Sequence, residues 1–292
     1  PGILFRKRFS FEMNRAAILS NYFKATVRHA QKSKLNFVFK MGGLTLALLS
    51  LLVIVIYVSW QMSFDRFHEG YENVYRVNSE WKENDEIAKY AIVPAGIGPA
   101  LGEEYPEVTS WARVGFPSQY QVKYNDKAFQ VRGITPADTS VFDVLSFKFI
   151  QGDRSALNHP ESIVITESLS KQIFGDDDPM GKPITFTDRL NATLHVTAVI
   201  KDLPRNTHLT ISALMPGAAL TDSTDGVSDP WGIGIDGSTG LYIKLQPGAD
   251  ADAFAAKASR LIRQRLTKTE NGLEKEYGIL LQPLRDIYLD PA

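Results

Sequence analysis

Residues 175–182 have the composition of a phosphate-binding loop, with two glycines, three aspartates and a lysine. A P-loop has four residues between its glycines and a Ser or Thr after its lysine. Here five residues separate Gly175 from Gly181, and Pro183 follows Lys182. The spacing therefore favours a helix C-cap at Gly175 followed by a tight turn. We expect no ATP hydrolysis by this chain.

The other candidate ligands and nucleophiles do not follow a known catalytic or metal-binding pattern either. The chain has no cysteine, which excludes thiolate zinc sites and thiol nucleophiles. Its five histidines do not occur as pairs at ligand spacing, and His195 is expected to be a half-buried strand residue. Residues 176–178 lack the glycine and the distal glutamate of a calcium loop, so a solvated acidic turn is favoured. The sequence therefore predicts a protein without catalytic, cofactor-binding or metal-binding residues.

Charge is distributed very unevenly along the 292 residues. Residues 1–40 hold nine of the 32 Lys and Arg but one of the 33 Asp and Glu, whereas residues 41–64 hold no charge. The rest of the chain is acidic overall. This pattern is typical of a membrane protein and not of a nucleic-acid-binding protein. The hydrophobic share of 44% is enough for a folded core, which excludes disordered and collagen-like chains.

The uncharged stretch has the length and composition of a transmembrane helix. As a helix it extends over roughly 36 Å at about 1.5 Å per residue, enough to span the hydrocarbon core of a bilayer. It is too long, and too far from the first residue, for a signal peptide. Tyr57 and Trp60 near its end are typical of the membrane interface. We therefore predict a retained membrane helix over residues 41–62.

Two features of this helix concern its packing and its orientation. Gly43 and Ala47 are small residues four positions apart, which lets a second helix approach closely, although both types are common in membrane helices for other reasons. The excess of Lys and Arg before the helix predicts a cytoplasmic N-terminus. Residues 1–40 are then a basic, amphipathic segment beside anionic lipid headgroups, or a plain solvated linker. Residues 63–292 are placed in the periplasm of a Gram-negative cell.

Beyond residue 65 short predicted strands alternate with a few helices, which is typical of an α+β domain. Asn125-Asp126 lies between two strand-like segments and predicts a hairpin. Residues 167–174 are predicted to form a helix that ends at Gly175.

The C-terminal third contains the clearest amphipathic helix, at residues 250–268. Asp250 is a candidate N-cap, and the apolar face of this helix includes Leu261. Residues 221–236 are rich in Asp, Gly and Ser and are predicted to be a loop. Residues 278–288 are predicted to be a terminal strand.

Several segments, in order along the chain, resemble the permease subunits of MacB/FtsX-type ABC transporters. Residues 21–36 are similar to the amphipathic helix that precedes the membrane in that family, and Gly42-Gly43-Leu44 to the start of its first membrane helix. The motif Phe64-Asp65-Arg66-Phe67, followed by Tyr75-Arg76-Val77, resembles the family as it occurs in permeases with several membrane passes. Four further segments resemble the periplasmic core domain of this family: residues 162–169, 174–176, 178–182 and 199–204.

The resemblance implies four membrane helices, with a large periplasmic domain between the first and the second. Residues 63–292 would be that periplasmic core domain. It would consist of a porter-like subdomain at about 63–135 and 238–292 and a small inserted α/β subdomain at about 136–237. The chain ends near the point where the second membrane helix of the family begins, so we expect it to be part of a longer protein.

The function implied by the resemblance is that of a non-catalytic permease subunit in the inner membrane. ATP would bind to a separate cytoplasmic ABC ATPase subunit, a second permease copy or a paralogue would complete a dimer, and a periplasmic adaptor is a further partner. ATP-driven closure would move the periplasmic domains for efflux or lipoprotein handling. The alternative is the extracytoplasmic sensor domain of a membrane-anchored receptor, which also has one membrane helix followed by an α+β domain.

Overall fold

The computed structural model describes residues 18, 20–26, 28, 32, 34–83, 86–188, 190–217, 238–266 and 277–290. The chain divides into two compact units, residues 1–60 and 61–292. The described helices are α1 (Lys34–Gln61), α2 (Ile97–Glu104), α3 (Val141–Val144), α4 (Glu167–Phe174) and α5 (Ala251–Arg265). The loop predicted at residues 221–236 lies outside the described residues.

The strands all belong to the second unit, and with the helices they confirm the mixed α/β fold. Two of them, β7 and β11, were not predicted from the sequence. The predicted strand at residues 278–288 ends at Pro283, where a short 3-10 turn follows. The described strands are β1 (Val74–Glu83), β2 (Glu86–Tyr90), β3 (Val93–Pro94), β4 (Val108–Val114), β5 (Ser118–Tyr124), β6 (Lys127–Ala137), β7 (Phe149–Gln151), β8 (Ser162–Thr166), β9 (Pro183–Phe186), β10 (Thr193–Ile200), β11 (Ala213–Pro216), β12 (Ser238–Leu245) and β13 (Gly278–Pro283).

Helix α1 is the long apolar element near the start of the chain. It covers nearly all of the predicted span at residues 41–62, has no buried residue, and is long and apolar enough to cross a membrane. The hydroxyls of Thr45 and Ser50 donate to carbonyl oxygens four residues earlier, at 2.8 and 2.9 Å. Polar groups that are satisfied within the helix suit an apolar surrounding such as a bilayer. Residues 20–26 are helical as well.

The beginning and the end of the second unit share one antiparallel sheet, which we call the open sheet (β1–β4, β12 and β13). Strand β1 lies between β12 and β13, with Tyr75 opposite Ile243 and Val77 opposite Leu281. Strand β12 then pairs with β4. Strands β12 and β13 therefore flank the residues near 75 within one sheet.

Helix α5 covers the open sheet through a buried apolar stripe. The carboxylate of Asp250 accepts two backbone N–H groups of the first turn at 3.0 and 3.1 Å, which confirms the predicted N-cap. Phe254 and Ile262 are buried in the cluster beneath the sheet, whereas Leu261 is only half-buried. The predicted apolar face is therefore confirmed, with Leu261 at its edge. A charge at Ile262 would be fully buried, whereas one at Leu261 would be partly exposed.

Six strands close into a ring, which we call the ring (β5, β6 and β8–β11). Strand β11 pairs with β6 on one side and β8 on the other, and the order β8–β10–β9–β5–β6 returns to it. One apolar cluster takes residues from all six strands and from α4. A closed ring leaves no unpaired strand edge. The ring includes β5 and β6, which begin before residue 135, where the sequence placed the end of the first porter-like segment. The limits of the two subdomains stay a prediction.

Candidate functional site

Residues 63–69, which we call the post-helix motif, begin two residues after the end of α1 and form turns. Within the motif Asp65 is fully buried and has a φ of 57°. Aspartate adopts this left-handed conformation more readily than most residues. A buried carboxylate is costly unless it is paired and hydrogen-bonded. The partners of Asp65 therefore identify what the motif is attached to.

The Asp65 carboxylate is bonded to residues 201–212, which link β10 to β11 and which we call the connector. The hydroxyl of Thr207 donates to Oδ1 at 2.6 Å, and Nδ1 of His208 donates to Oδ2 at 2.8 Å. The backbone N–H of His208 approaches both oxygens at 3.3 and 3.4 Å. In return, the backbone N–H of Asp65 donates to the carbonyl of Asn206 at 2.9 Å. These bonds satisfy the buried charge and fix the motif to the connector.

Tyr242 on β12 extends this network into the open sheet. Its hydroxyl lies 2.7 Å from Nε2 of His208. Because a carboxylate only accepts, Nδ1 of His208 donates to Asp65, and Nε2 forms the hydrogen bond with the hydroxyl of Tyr242. Burial raises the pKa of Tyr242 well above its ordinary value, so the hydroxyl keeps its proton. We call Asp65, Thr207, His208 and Tyr242 the clamp.

The clamp has the order of carboxylate, imidazole and hydroxyl that nucleophilic triads have, but it lacks their accessibility. A triad hydroxyl must reach a substrate and give its proton to the histidine. Tyr242 is only 5% exposed, and its raised pKa opposes deprotonation. The geometry therefore supports attachment of one segment to another rather than catalysis.

The post-helix motif has two further attachments. Nδ1 of His68 accepts the backbone N–H of Ser146 at 2.9 Å, and the backbone N–H of Glu69 donates to the Ser146 hydroxyl at 2.8 Å. The ring of Phe64 stacks on Tyr288 with centroids 3.4 Å apart. Nε2 of His68 is buried without a hydrogen-bond partner among the described residues. Burial lowers the pKa of His68 to about 4, so the ring is neutral at neutral pH.

A family model of the MacB-like periplasmic core domain matches residues 38–261, which is most of the chain. The chain belongs to this family. All four clamp residues lie inside the matched region, as does the post-helix motif. Domains of this type occur in permeases of ABC-type transporters, so the predicted resemblance to MacB/FtsX-type permeases is confirmed. Permeases of this family are generally non-catalytic.

Two solved structures share the fold of the MacB-like domain. A domain of a putative permease protein from Porphyromonas gingivalis has a TM-score of 0.63 at 22% identity, covering 74% of this chain and 91% of that chain. The extracellular domain of the noncanonic ABC-type transporter YknZ from Gram-positive bacteria has a TM-score of 0.51 at 13% identity, covering 71% and 100%. No curated protein matches the sequence significantly. At these identities the likeness shows the fold alone.

The predicted motif residues are divided between the core and the surface of the MacB-like domain. Phe64 and Asp65 are buried, Phe67 is half-buried and Arg66 is exposed. The motif therefore faces inward through Phe64 and Asp65, which make the contact with Tyr288 and the bonds to the connector. Arg66 is available to solvent.

Two other predictions concern residues that the clamp does not include. Gly43 and Ala47 are exposed on α1, and a Cβ at Gly43 would meet no described atom within 4 Å. Their role in helix packing stays a prediction. The expectation that His195 is half-buried is wrong: it is exposed on β10, with Nδ1 3.3 Å from the carbonyl of Gly181. Within the described residues no group of three or more acidic or histidine side chains is placed to hold a metal ion.

Residues 175–182, which we call the acidic turn, have the structural role that their spacing indicated. Gly175 has a φ of 65° and ends α4, and the backbone N–H of Lys182 donates to the carbonyl of Pro179 at 3.1 Å. Nζ of Lys182 lies 3.2 Å from the carboxylate of Asp177 and above two aromatic rings at 5.5 and 5.8 Å. The lysine is therefore engaged within the domain instead of facing a phosphate site.

Sequence reasoning did not identify His208 or Tyr242. His208 lies in a connector without apolar periodicity, four residues beyond the family-like segment at 199–204. Tyr242 occupies a strand position where an aromatic residue is expected for packing alone. One feature of the sequence could have indicated the connector: the polar run from Arg205 to His208 lies between two buried strands. Polar side chains that become buried need hydrogen-bond partners, so such a run is a candidate for long-range polar contacts.

Proposed function

We propose that this chain is a non-catalytic permease subunit in which a separate cytoplasmic ATPase drives movements of the MacB-like domain. The family assignment supports the transporter class, and α1 supplies a helix able to cross the membrane. The excess of basic residues before α1 supports a cytoplasmic location for residues 1–40 and a periplasmic location for residues 63–292. The setting is the bacterial inner membrane.

The clamp is the observation that carries the mechanical part of this proposal. A displacement of α1 acts first on the post-helix motif, because the motif follows the helix directly in the chain. Asp65 is bonded to the connector of the ring and, through His208, to Tyr242 of the open sheet. Short hydrogen bonds to a buried charge resist separation, since breaking them leaves the charge unpaired. The displacement therefore reaches the ring and the open sheet together.

The proposed partners follow from the transporter class. ATP is bound by the ABC ATPase subunit, and a second permease copy or a paralogue completes the dimer. A periplasmic adaptor receives the movement, and the work performed is efflux or the handling of lipoproteins. Membrane lipids contact α1 and the basic segment before it.

The mechanical proposal is tested on the full chain purified from its own membranes with the ATPase that accompanies it. A spin label at an Asp126→Cys site, introduced into this cysteine-free chain, reports the distance between two copies with and without ATP. We expect an ATP-dependent change in distance that is lost in Asp65→Ala while ATP hydrolysis continues. Asp177→Ala on the acidic turn is the matched control and keeps the change. Equal distance changes in all three proteins would refute a role for the clamp in coupling.

Orientation is tested with the same cysteine. An impermeant thiol reagent should label Asp126→Cys in cells whose outer membrane alone is permeabilised. Protection of this cysteine until the inner membrane is opened would reverse the proposed topology.

A further inference from the structure

A cavity of about 270 Å³ lies within the second unit, between parts of the post-helix motif and the connector. It is lined by Phe67 and Glu69 of the post-helix motif, by residues 146–148, by Arg154, and by residues 201–204 of the connector. Ligand pockets commonly measure about 300–1,000 Å³, so this cavity lies just below that range and suits only a small ligand. Part of its wall comes from the two segments that the clamp joins, and the rest from residues 146–148 and Arg154.

One part of the wall is apolar and held in place by packing. Phe67, Phe147 and Leu203 are half-buried and contribute to the lining. Phe147 and Leu203 also pack against the core cluster, and the ring of Phe147 meets Phe142 edge to face at 5.5 Å. A preformed apolar wall loses little conformational entropy when a ligand binds.

Three cations line the same cavity. Arg154 lies 3.1 Å from Asp143, in a pair whose side chains are both largely exposed. Lys148 and Lys201 have no ion-pair partner in the described part of the chain. Their backbones are neighbours, since the backbone N–H of Lys201 donates to the carbonyl of Lys148 at 2.8 Å, and both side chains line the cavity. Two free ammonium groups beside an apolar wall favour an anionic ligand.

The acidic residues of the lining do not cancel this charge. Asp202 accepts the backbone N–H of Ser168 at 3.2 Å and its hydroxyl at 2.6 Å, so both carboxylate oxygens are already used. Glu69 is the second acid, and it is exposed. Hydrogen bonds from the neutral groups of Ser168 leave the charge of Asp202 in place, so three cations against two acids give the lining a formal charge of +1.

We propose that this cavity binds a small organic anion with an apolar body, of the aromatic carboxylate class. The carboxylate lies between Lys148 and Lys201, and the body lies against Phe147 and Leu203. The ligand thereby contacts the connector and residues 147–148, in a cavity that Phe67 and Glu69 of the post-helix motif also line. This binding does not depend on the ATPase partner.

The probe for the test is 4-(trifluoromethyl)benzoate, observed by ¹⁹F NMR with the full chain in lipid nanodiscs and with empty nanodiscs as background. The neutral 4-(trifluoromethyl)benzamide has nearly the same shape without the charge. We expect the benzoate signal to broaden beyond the background and the benzamide to bind about tenfold more weakly, because a charge-assisted contact is lost. Absence of benzoate broadening, or equal binding of the two probes, overturns the proposal.

Substitutions locate the binding in the cavity. Leu203→Trp fills the apolar part and should abolish benzoate binding. The double variant Lys148→Glu/Lys201→Glu reverses the charge and should weaken binding by about tenfold or more. Lys123→Glu, at an exposed position on β5 outside the cavity, is the matched control and should bind like the original chain.

Two outcomes of the substitutions would overturn this location. The first is unchanged binding by the double variant, whose exposed positions leave the fold intact. The second is an equal loss of binding in Lys123→Glu, which would mean that the probe responds to surface charge in general. The unfolding midpoint of each variant verifies that binding is compared between folded proteins.

Discussion

The post-helix motif and the acidic turn are both short polar segments without a regular element, yet they hold charge in opposite ways. In the acidic turn Asp177 and Lys182 form an ion pair at 3.2 Å, and the side chain of Asp177 is 72% exposed. In the motif Asp65 is fully buried and bonded to the connector. Water screens the first pair, so its contribution to stability is small. The second charge depends entirely on its partners.

The comparison shows that a segment whose composition resembles a functional motif is not necessarily one that matters for the stability of the fold. The acidic turn almost matches a phosphate-binding loop, and its residues serve to end a helix and turn the chain. The motif has a single aspartate among aromatic residues, and this aspartate is bonded to a residue 142 positions further along. The contribution of each charge to stability depends on whether it is buried, and its burial depends on residues that are distant in the sequence.

The largest expected effect separates the two aspartates directly. Asp65→Ala should lower the free energy of unfolding by about 3–5 kcal/mol, because it breaks a buried, hydrogen-bonded charge cluster. Asp177→Ala should change it by less than about 1 kcal/mol, since that pair is solvent-screened. Urea unfolding of the solubilised chain, followed by tryptophan fluorescence, measures both. Equal effects of the two substitutions would remove the distinction between the segments.

The second expected effect is a pH dependence of the unfolding free energy that comes from His68 in the post-helix motif. The pKa of His68 is lowered from 6.5 to about 4 by burial, so the unfolded chain takes up its proton first as the pH falls. The contribution of His68 to the unfolding free energy is therefore fully present above about pH 6.5 and declines as the pH falls. The total loss is about 3 kcal/mol near pH 4.

The measurement is the unfolding free energy of the original chain minus that of His68→Gln, between pH 7 and pH 4. This difference should shrink by about 3 kcal/mol. His159→Gln, at an exposed histidine, is the matched control for the loss of an imidazole. A pH-independent difference for His68→Gln would mean that its ring is not buried in the neutral form.

A third expected effect concerns the backbone of the acidic turn. Gly175 has a φ of 65° and a ψ of −123°, a conformation that residues with a Cβ adopt only with strain. Gly175→Ala should cost about 1–2 kcal/mol, which is more than Asp177→Ala. A Cβ at this position meets no atom within 4 Å, so the cost is conformational and not steric. Thermal unfolding of both variants compares them, and a harmless Gly175→Ala would show that the turn does not need glycine.

The smallest expected effect is at Lys182. Lys182→Ala should lower the unfolding free energy by less than any substitution above, because water screens its ion pair with Asp177. The chain purified without a partner should hydrolyse no ATP, with or without this substitution. If the chain alone hydrolysed ATP and Lys182→Ala abolished that activity, the acidic turn would be a phosphate-binding loop after all.

Elements that depend on local pattern were predictable from the sequence. Helix α4 has the predicted limits because Thr166 caps its first turn and Gly175 ends it. Helix α5 was also predicted together with its apolar face: Phe254, Ala258, Ile262 and Leu266 are buried, and only Leu261, at the edge of that face, is half-buried. Strand β11 is only four residues long and exists because β6 and β8 pair with it, which no local pattern reveals.

The clamp was only half predictable for the same reason. The segment around Asp65 was recognised through its resemblance to a family, but no sequence spacing connects it to His208. Their pairing depends on the closure of the ring, which brings the connector to the motif. Long-range polar contacts of this kind leave no periodic signal in a single sequence.

The pairing of Asp65 with His208 is tested most directly by a double-mutant cycle on the unfolding free energy. Asp65→Asn and His208→Gln, alone and together, should give a coupling energy of about 2 kcal/mol or more, as expected for a buried charged contact. The same cycle with Asp177→Asn and Lys182→Gln on the acidic turn should give about 0.5 kcal/mol or less. A coupling energy near zero between Asp65 and His208 would contradict the attachment of the post-helix motif to the connector.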